Sequence, residues 1–261
     1  MPVVNAKQLH RTKNWRMLLY GKPGVGKTSS AKFIGGKVLV LPMDNSQVVL
    51  SGSTIDVWKD DKFAVDDEKN YFDREHPNES IGKFLAENGK NQNGYDTILI
   101  DNLSSFEKDW FVEAGRKSHN GISNEIQDYG TWGNYFTRMI MTLFMIPNCN
   151  VLVTAWENTR DITGDTGQTF SQYAPAIRDS VRDGLLGLTD VVGRLIINPK
   201  TGNRGVILEG NDTIFAKNRL DKRTSAAIED LFKFGGEADV HTSSVSTDTG
   251  KSSKTETGTG K

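Results

Sequence analysis

The sequence predicts an α/β protein in which a mainly parallel sheet is flanked by helices, closed by a C-terminal β-hairpin and followed by a disordered tail. Three observations carry this. Apolar runs of strand length recur at residues 15–20, 37–43, 95–100 and 150–155, and read as buried strands. The segments between them include stretches of helical spacing, as in parallel strands joined by right-handed crossovers. Late in the chain, residues 191–197 and 205–209 are two apolar runs separated by Asn198-Pro199-Lys200-Thr201-Gly202-Asn203, a hairpin pattern.

Residues 1–14 are polar and basic and read as a lead-in. The first strand, Trp15-Arg16-Met17-Leu18-Leu19-Tyr20, is followed by a glycine-rich turn and a helix that ends at Gly35-Gly36. The second strand runs to Pro42-Met43-Asp44. Residues 55–58 read as a short strand and 79–87 as a helix stopped by Asn88-Gly89. The third strand ends in Asp101-Asn102. Helices follow at about 104–117 and 126–146, the second with Phe136, Met139, Ile140, Leu143 and Phe144 on one stripe. The fourth strand covers 150–157. Residues 158–176 carry Gly164, Gly167 and Pro175 without periodicity and read as a long mobile loop. A helix at 179–188, the hairpin, a short strand at 213–217 and a helix at 224–233 complete a domain of residues 15–236. Residues 237–261 hold almost no apolar side chain and read as a disordered tail, either solubilising or partner-binding.

The 261 residues are 36% hydrophobic and 25% charged with a formal net charge of −1, so a nucleic-acid surface could only be a local patch. The single cysteine, Cys149, excludes an intramolecular disulfide and reads as a buried, inert thiol. The four histidines have no metal-ligand spacing. The apolar runs are too short to span a bilayer and no signal peptide opens the chain, which gives a cytoplasmic expectation without a membrane partner.

The chemistry concentrates at Gly21-Lys22-Pro23-Gly24-Val25-Gly26-Lys27-Thr28, the pattern G-x-x-x-x-G-K-T between a strand and a helix, continued by Ser29. This is a P-loop. Successive backbone N–H groups in the turn supply donors for a triphosphate, and the helix start adds its partial positive end. Lys27 brings a full charge to the β- and γ-phosphates, and the Thr28 hydroxyl is placed to ligate Mg²⁺. Asp101 ends an apolar strand that would open onto the same crevice. Two roles fit it, a Mg²⁺-side carboxylate and a strand-end cap. Thr154 and Glu157 end the next strand, with Thr154 either a phosphate sensor or a hydroxyl bonded to backbone.

These elements, with Gln127-Asp128-Tyr129-Gly130, residues 188–192 and residues 216–221, resemble the phage-encoded P-loop ATPases with a RecA-like core, the Sak-type group of recombination and single-strand annealing proteins. The similarity covers roughly residues 12–234. It implies a RecA-like P-loop NTPase fold, ATP and Mg²⁺ as cofactors, and a place in an infected bacterial host cell. It also implies single-stranded DNA as partner, self-association into a ring or filament, and a single-strand-binding protein as a further partner. Asn102 stands where AAA+ motors carry a glutamate. In RecA-like proteins the water-activating acid ends the second strand, which here is Asp44, a shorter acid than the usual glutamate; Glu157 is the lesser candidate. Lys217 and Arg219 resemble a K-x-R element that reaches a neighbouring subunit's γ-phosphate; the alternative is an exposed basic strand end. DNA contacts fall to Arg160, Phe170 and Tyr173 of the 158–176 segment and to Arg116-Lys117. Two rivals remain at this stage, a nucleotide-gated binding module with little hydrolysis and a small-molecule or nucleotide kinase.

Overall fold

The computed structural model describes residues 3, 5–8, 12–163 and 167–234. The tail expected at 237–261 and part of the lead-in lie outside them. Among the described residues, ten strands form one connected sheet. Six are parallel neighbours, β7 (Val191–Ile197), β1 (Arg16–Gly21), β5 (Asn150–Thr163), β4 (Thr97–Asp101), β2 (Val38–Pro42) and β3 (Asp56–Val57), in that spatial order. β8 (Arg204–Ile207) and β10 (Ser225–Ala227) extend the β7 edge antiparallel. The expected α/β architecture, with its parallel core and late hairpin, is the observed one.

The central strands are apolar throughout because side chains alternate between two buried faces. Leu18, Tyr20, Leu39, Leu41, Ile98, Ile100, Val151 and Val153 face one way, into a core with the α-helices α1 (Pro77–Asn88), α2 (Leu103–Lys117), α3 (Ile126–Phe144) and α4 (Asp179–Leu188). Met17, Leu19, Val38, Val40, Leu99 and Leu152 face the other way. There the cover is thin: 3₁₀ turns at Thr28–Phe33, Gln47–Leu50 and Ile228–Asp230, with Phe232 and Phe234 closing over Trp15.

Four expectations are corrected. The helix after the P-loop is a 3₁₀ turn, not an α-helix. It holds six residues before Gly35-Gly36, and the Ser30 hydroxyl bonds the Lys27 carbonyl at 2.6 Å, a local bond that competes with α-helical pairing. The mobile loop expected at 158–176 is not what the described residues show, and positions 164–166 of it lie outside them. β5 continues to Thr163 and pairs with β6 (Thr169–Pro175) over seven registered positions, a two-stranded arm. The 224–233 segment is not a helix either: Ser225–Ala227 add to the β8 edge and Ile228 and Leu231 are buried, so pairing and burial override helix propensity. The strand expected at 213–217 is reduced to β9 (Lys217–Asn218), which pairs with Val191 and Val192. Among the described residues no helix is long and apolar enough to cross a membrane.

Candidate nucleotide site

β1 delivers the P-loop to the carboxyl edge of the sheet, beside the ends of β4 and β5. Gly24 and Gly26 have φ of +77° and +103°, a region that strongly favours glycine. A Cβ on Gly21 would lie 2.5 Å from the Leu195 carbonyl oxygen, so glycine there lets the loop pack on β7. Among the described residues, the N–H groups of Gly24, Gly26, Lys27 and Thr28 bond no carbonyl outside the regular elements, which leaves the donors of an anion nest free. The Lys27 ammonium folds back instead, donating to the carbonyls of Gly21 at 2.9 Å and Lys22 at 3.0 Å. Burial lowers its pKa, opposed by the charges of Asp101, Asp44 and Glu157.

Asp101, at the end of β4, is 1% exposed and collects three hydroxyls. Thr28 donates to its Oδ2 at 2.6 Å and Ser46 donates to the same oxygen at 3.0 Å. The Thr154 hydroxyl donates to Oδ1. Asp101 is therefore the carboxylate beside the P-loop threonine, and Thr154 bonds that carboxylate rather than backbone. One hydroxyl, one carboxylate, water and the phosphates of a bound nucleotide form a donor set that suits Mg²⁺, which prefers few protein ligands. Asp44 follows β2, half-buried, with Oδ1 accepting the Ser46 N–H at 3.1 Å and Oδ2 facing the Asn102 amide at 3.5 Å. Burial, then the charge of Asp101, raises its pKa above the usual carboxylate range. Asn102 also caps α2 by accepting the Ser105 N–H. A glutamate at this position would add a third carboxylate to Asp44 and Asp101.

Glu157 is already engaged. Its carboxylate takes two bonds from Arg194, at 2.7 and 3.2 Å, and the Arg194 guanidinium lies 3.6 Å from the Tyr173 ring centroid. This bidentate pair competes with a role as water-activating base. Lys217 and Arg219 do not approach their own P-loop. β9 sits against the start of β7, level with Met17 and Leu18, while the P-loop follows Gly21. Both cations donate to the last carbonyls of α4, Lys217 to Leu186 and Gly187 and Arg219 to Gly187, as positive charge at a helix C-terminus favours. Burial and the Arg219 charge pull Lys217 down to about 8.

The residues assigned to DNA are dispersed. Arg160 is held by Gln172 on the arm and by Asp183 of α4, and Tyr173 packs under Arg194; Phe170 is half-buried opposite Ile162. Lys117 pairs with Glu113 at 2.5 Å and Arg116 reaches the Glu75 carbonyl at 3.4 Å. Three residues in the site escaped the sequence: Ser46, Arg194 and Arg204, the last donating to the Val25 carbonyl of the P-loop at 2.9 Å. Only Ser46 carried a signal, two positions past the strand-end acid.

A family model described as an AAA domain matches residues 13–220, from the lead-in to the residues after β9. The chain belongs to the AAA domain family. Among solved structures, the AAA domain is similar to a prototypical ATPase from the type III secretion system of pathogenic bacteria, at 12% identity and a TM-score of 0.39, over 70% of this chain and 51% of that one. The chain thus spans about half the length of that structure. No curated protein sequence matches. The family, the P-loop and the sheet order together make this a P-loop NTPase-type nucleotide-binding protein with a RecA-like fold.

Proposed function

We propose that the AAA domain is a Mg²⁺-dependent ATPase that acts on single-stranded DNA in phage recombination, annealing or replication. The observation that carries the hydrolytic part is the 2.6 Å bond from Thr28 to Asp101 beside a P-loop with free N–H donors. The P-loop N–H groups and Lys27 bind the phosphates and neutralise charge that develops during transfer. Bound Mg²⁺, held by Thr28 and Asp101, supplies Lewis-acid charge at the phosphate oxygens. Asp44 accepts the proton of the attacking water, and its raised pKa suits it to act as a base. The Asn102 amide fixes its orientation.

Support for DNA as the partner comes from the β5–β6 arm, which continues β5 past Glu157 beyond the carboxyl edge, and from the resemblance set out above. For a site shared between subunits, Lys217 and Arg219 would have to leave the end of α4. Hydrolysis measured with and without single-stranded DNA, with Lys27→Ala as the blank, tests the proposal. DNA-stimulated turnover lost in Lys27→Ala supports it. A flat trace refutes the DNA coupling and leaves a nucleotide-gated binding module. If Lys217 completes a neighbour's site, mixing Lys217→Ala with Asp44→Asn restores turnover that neither has alone; no recovery refutes the shared site.

A further inference from the structure

We infer that Arg204 is a positioning residue of the P-loop, acting through the Val25–Gly26 peptide on nucleotide affinity. The inference rests on the nucleotide-binding reading of this loop. Arg204 opens β8, where it pairs with Ile197, the last residue of β7. The connecting turn is stiffened by Asn198, whose N–H bonds the Asn203 carbonyl at 2.8 Å and whose side chain accepts the Lys200 N–H at 2.9 Å. From this frame the Arg204 Nε–H donates to the Val25 carbonyl at 2.9 Å. Among the described residues no carboxylate lies within ion-pair distance of its guanidinium. The P-loop carbonyl is the acceptor this cation has.

That carbonyl and the Gly26 N–H belong to one peptide group. A cation bonded to the oxygen holds the plane of the peptide and polarises it, so the N–H on the other side becomes a stronger donor. Gly26 N–H is one of the free donors of the nest. Arg204 also accounts for Gly26 a second time. Beyond its φ of +103°, a Cβ at Gly26 would come within 3.0 Å of Arg204 Nε and 3.2 Å of its Cδ, so the arginine stem occupies the space a side chain would need. The β7–β8 hairpin thus touches the loop at both ends, through the Leu195 carbonyl at Gly21 and through Arg204 at Val25.

The test uses the full chain and titrates a fluorescent ATP analogue with Mg²⁺ into the wild type, Lys27→Ala, Arg204→Ala, Arg204→Gln and Arg204→Lys. Loss of a charge-assisted bond predicts about tenfold weaker binding in Arg204→Ala. Arg204→Gln, with a donor but no charge, falls with it, whereas Arg204→Lys stays within about threefold of the wild type. Steady-state KM rises by more than kcat falls, and the nucleotide-free Tm does not move, because Arg204 is exposed. Wild-type affinity in Arg204→Ala, or in Arg204→Gln, overturns the inference while the site stands. Equal, negligible binding by the wild type and Lys27→Ala overturns the nucleotide reading and this inference with it.

Discussion

Glu157 separates a structural carboxylate from a catalytic one. Its side chain is 5% exposed and that of Arg194 is 12% exposed, and the two form a bidentate pair. Removing one member of such a buried pair leaves an uncompensated charge and costs about 3–5 kcal/mol. Glu157→Gln keeps one acceptor for Arg194, and the Tyr173 ring still lies 3.6 Å from the guanidinium, so the expected loss is at the lower end, about 3 kcal/mol. In a domain of this size that lowers Tm by about 6–12 °C. The double variant Glu157→Gln with Arg194→Met removes the stranded charge and returns Tm to within about 2–4 °C of the wild type. Thermal unfolding followed by circular dichroism without nucleotide reads both. If instead Glu157→Gln leaves Tm in place while abolishing turnover, Glu157 is the base and the pairing argument is wrong.

Further expectations follow from the same geometry. Asp44 has a higher pKa folded than unfolded, so its contribution is fully present below the unfolded value and is lost as pH rises through the folded one. Asp44→Asn therefore raises Tm at neutral pH, by about 2–4 °C if the relief is ~1 kcal/mol, while cutting turnover by about 10²-fold or more; a stability gain that persists at pH 3 contradicts the assignment. Asn102→Asp keeps the α2 cap but places a third carboxylate by Asp44 and Asp101, and is expected to lower stability at pH 7 by about 1–2 kcal/mol, with the loss shrinking in acid; urea titrations at two pH values check it. The Cys149 thiol is 1% exposed and pushed up to about 11 by burial, so a thiol reagent at pH 8 modifies the unfolded chain and not the native one.

What the sequence made legible follows from where the signal is local. Strands buried on both faces must be apolar throughout, so β1, β2, β4 and β5 announce themselves, and the P-loop is fixed by backbone needs that only certain residues meet. The outer half of β5 was not readable. From Glu157 onward it is a two-stranded arm with little core beneath it, so Arg160, Ile162 and Phe170 leave no sustained alternation beside polar neighbours. Residues 224–233 suit a helix by propensity, and nothing in their order reveals that β8 offers an open edge. Ser46, Arg194 and Arg204 reach the site from a turn, β7 and β8, and long-range pairing of this kind has no signature in spacing.

The groups of the site bond one another. Lys27 rests on two carbonyls, and Asp101 accepts bonds from three hydroxyls. A nucleotide arriving with its metal therefore replaces partners as well as adding them, and its affinity is the difference between two well-made states. It also means that trimming an internal competitor strengthens the ligand: Ser46→Ala frees one lone pair on Asp101 and is expected to tighten metal-nucleotide binding while lowering the Tm measured without nucleotide.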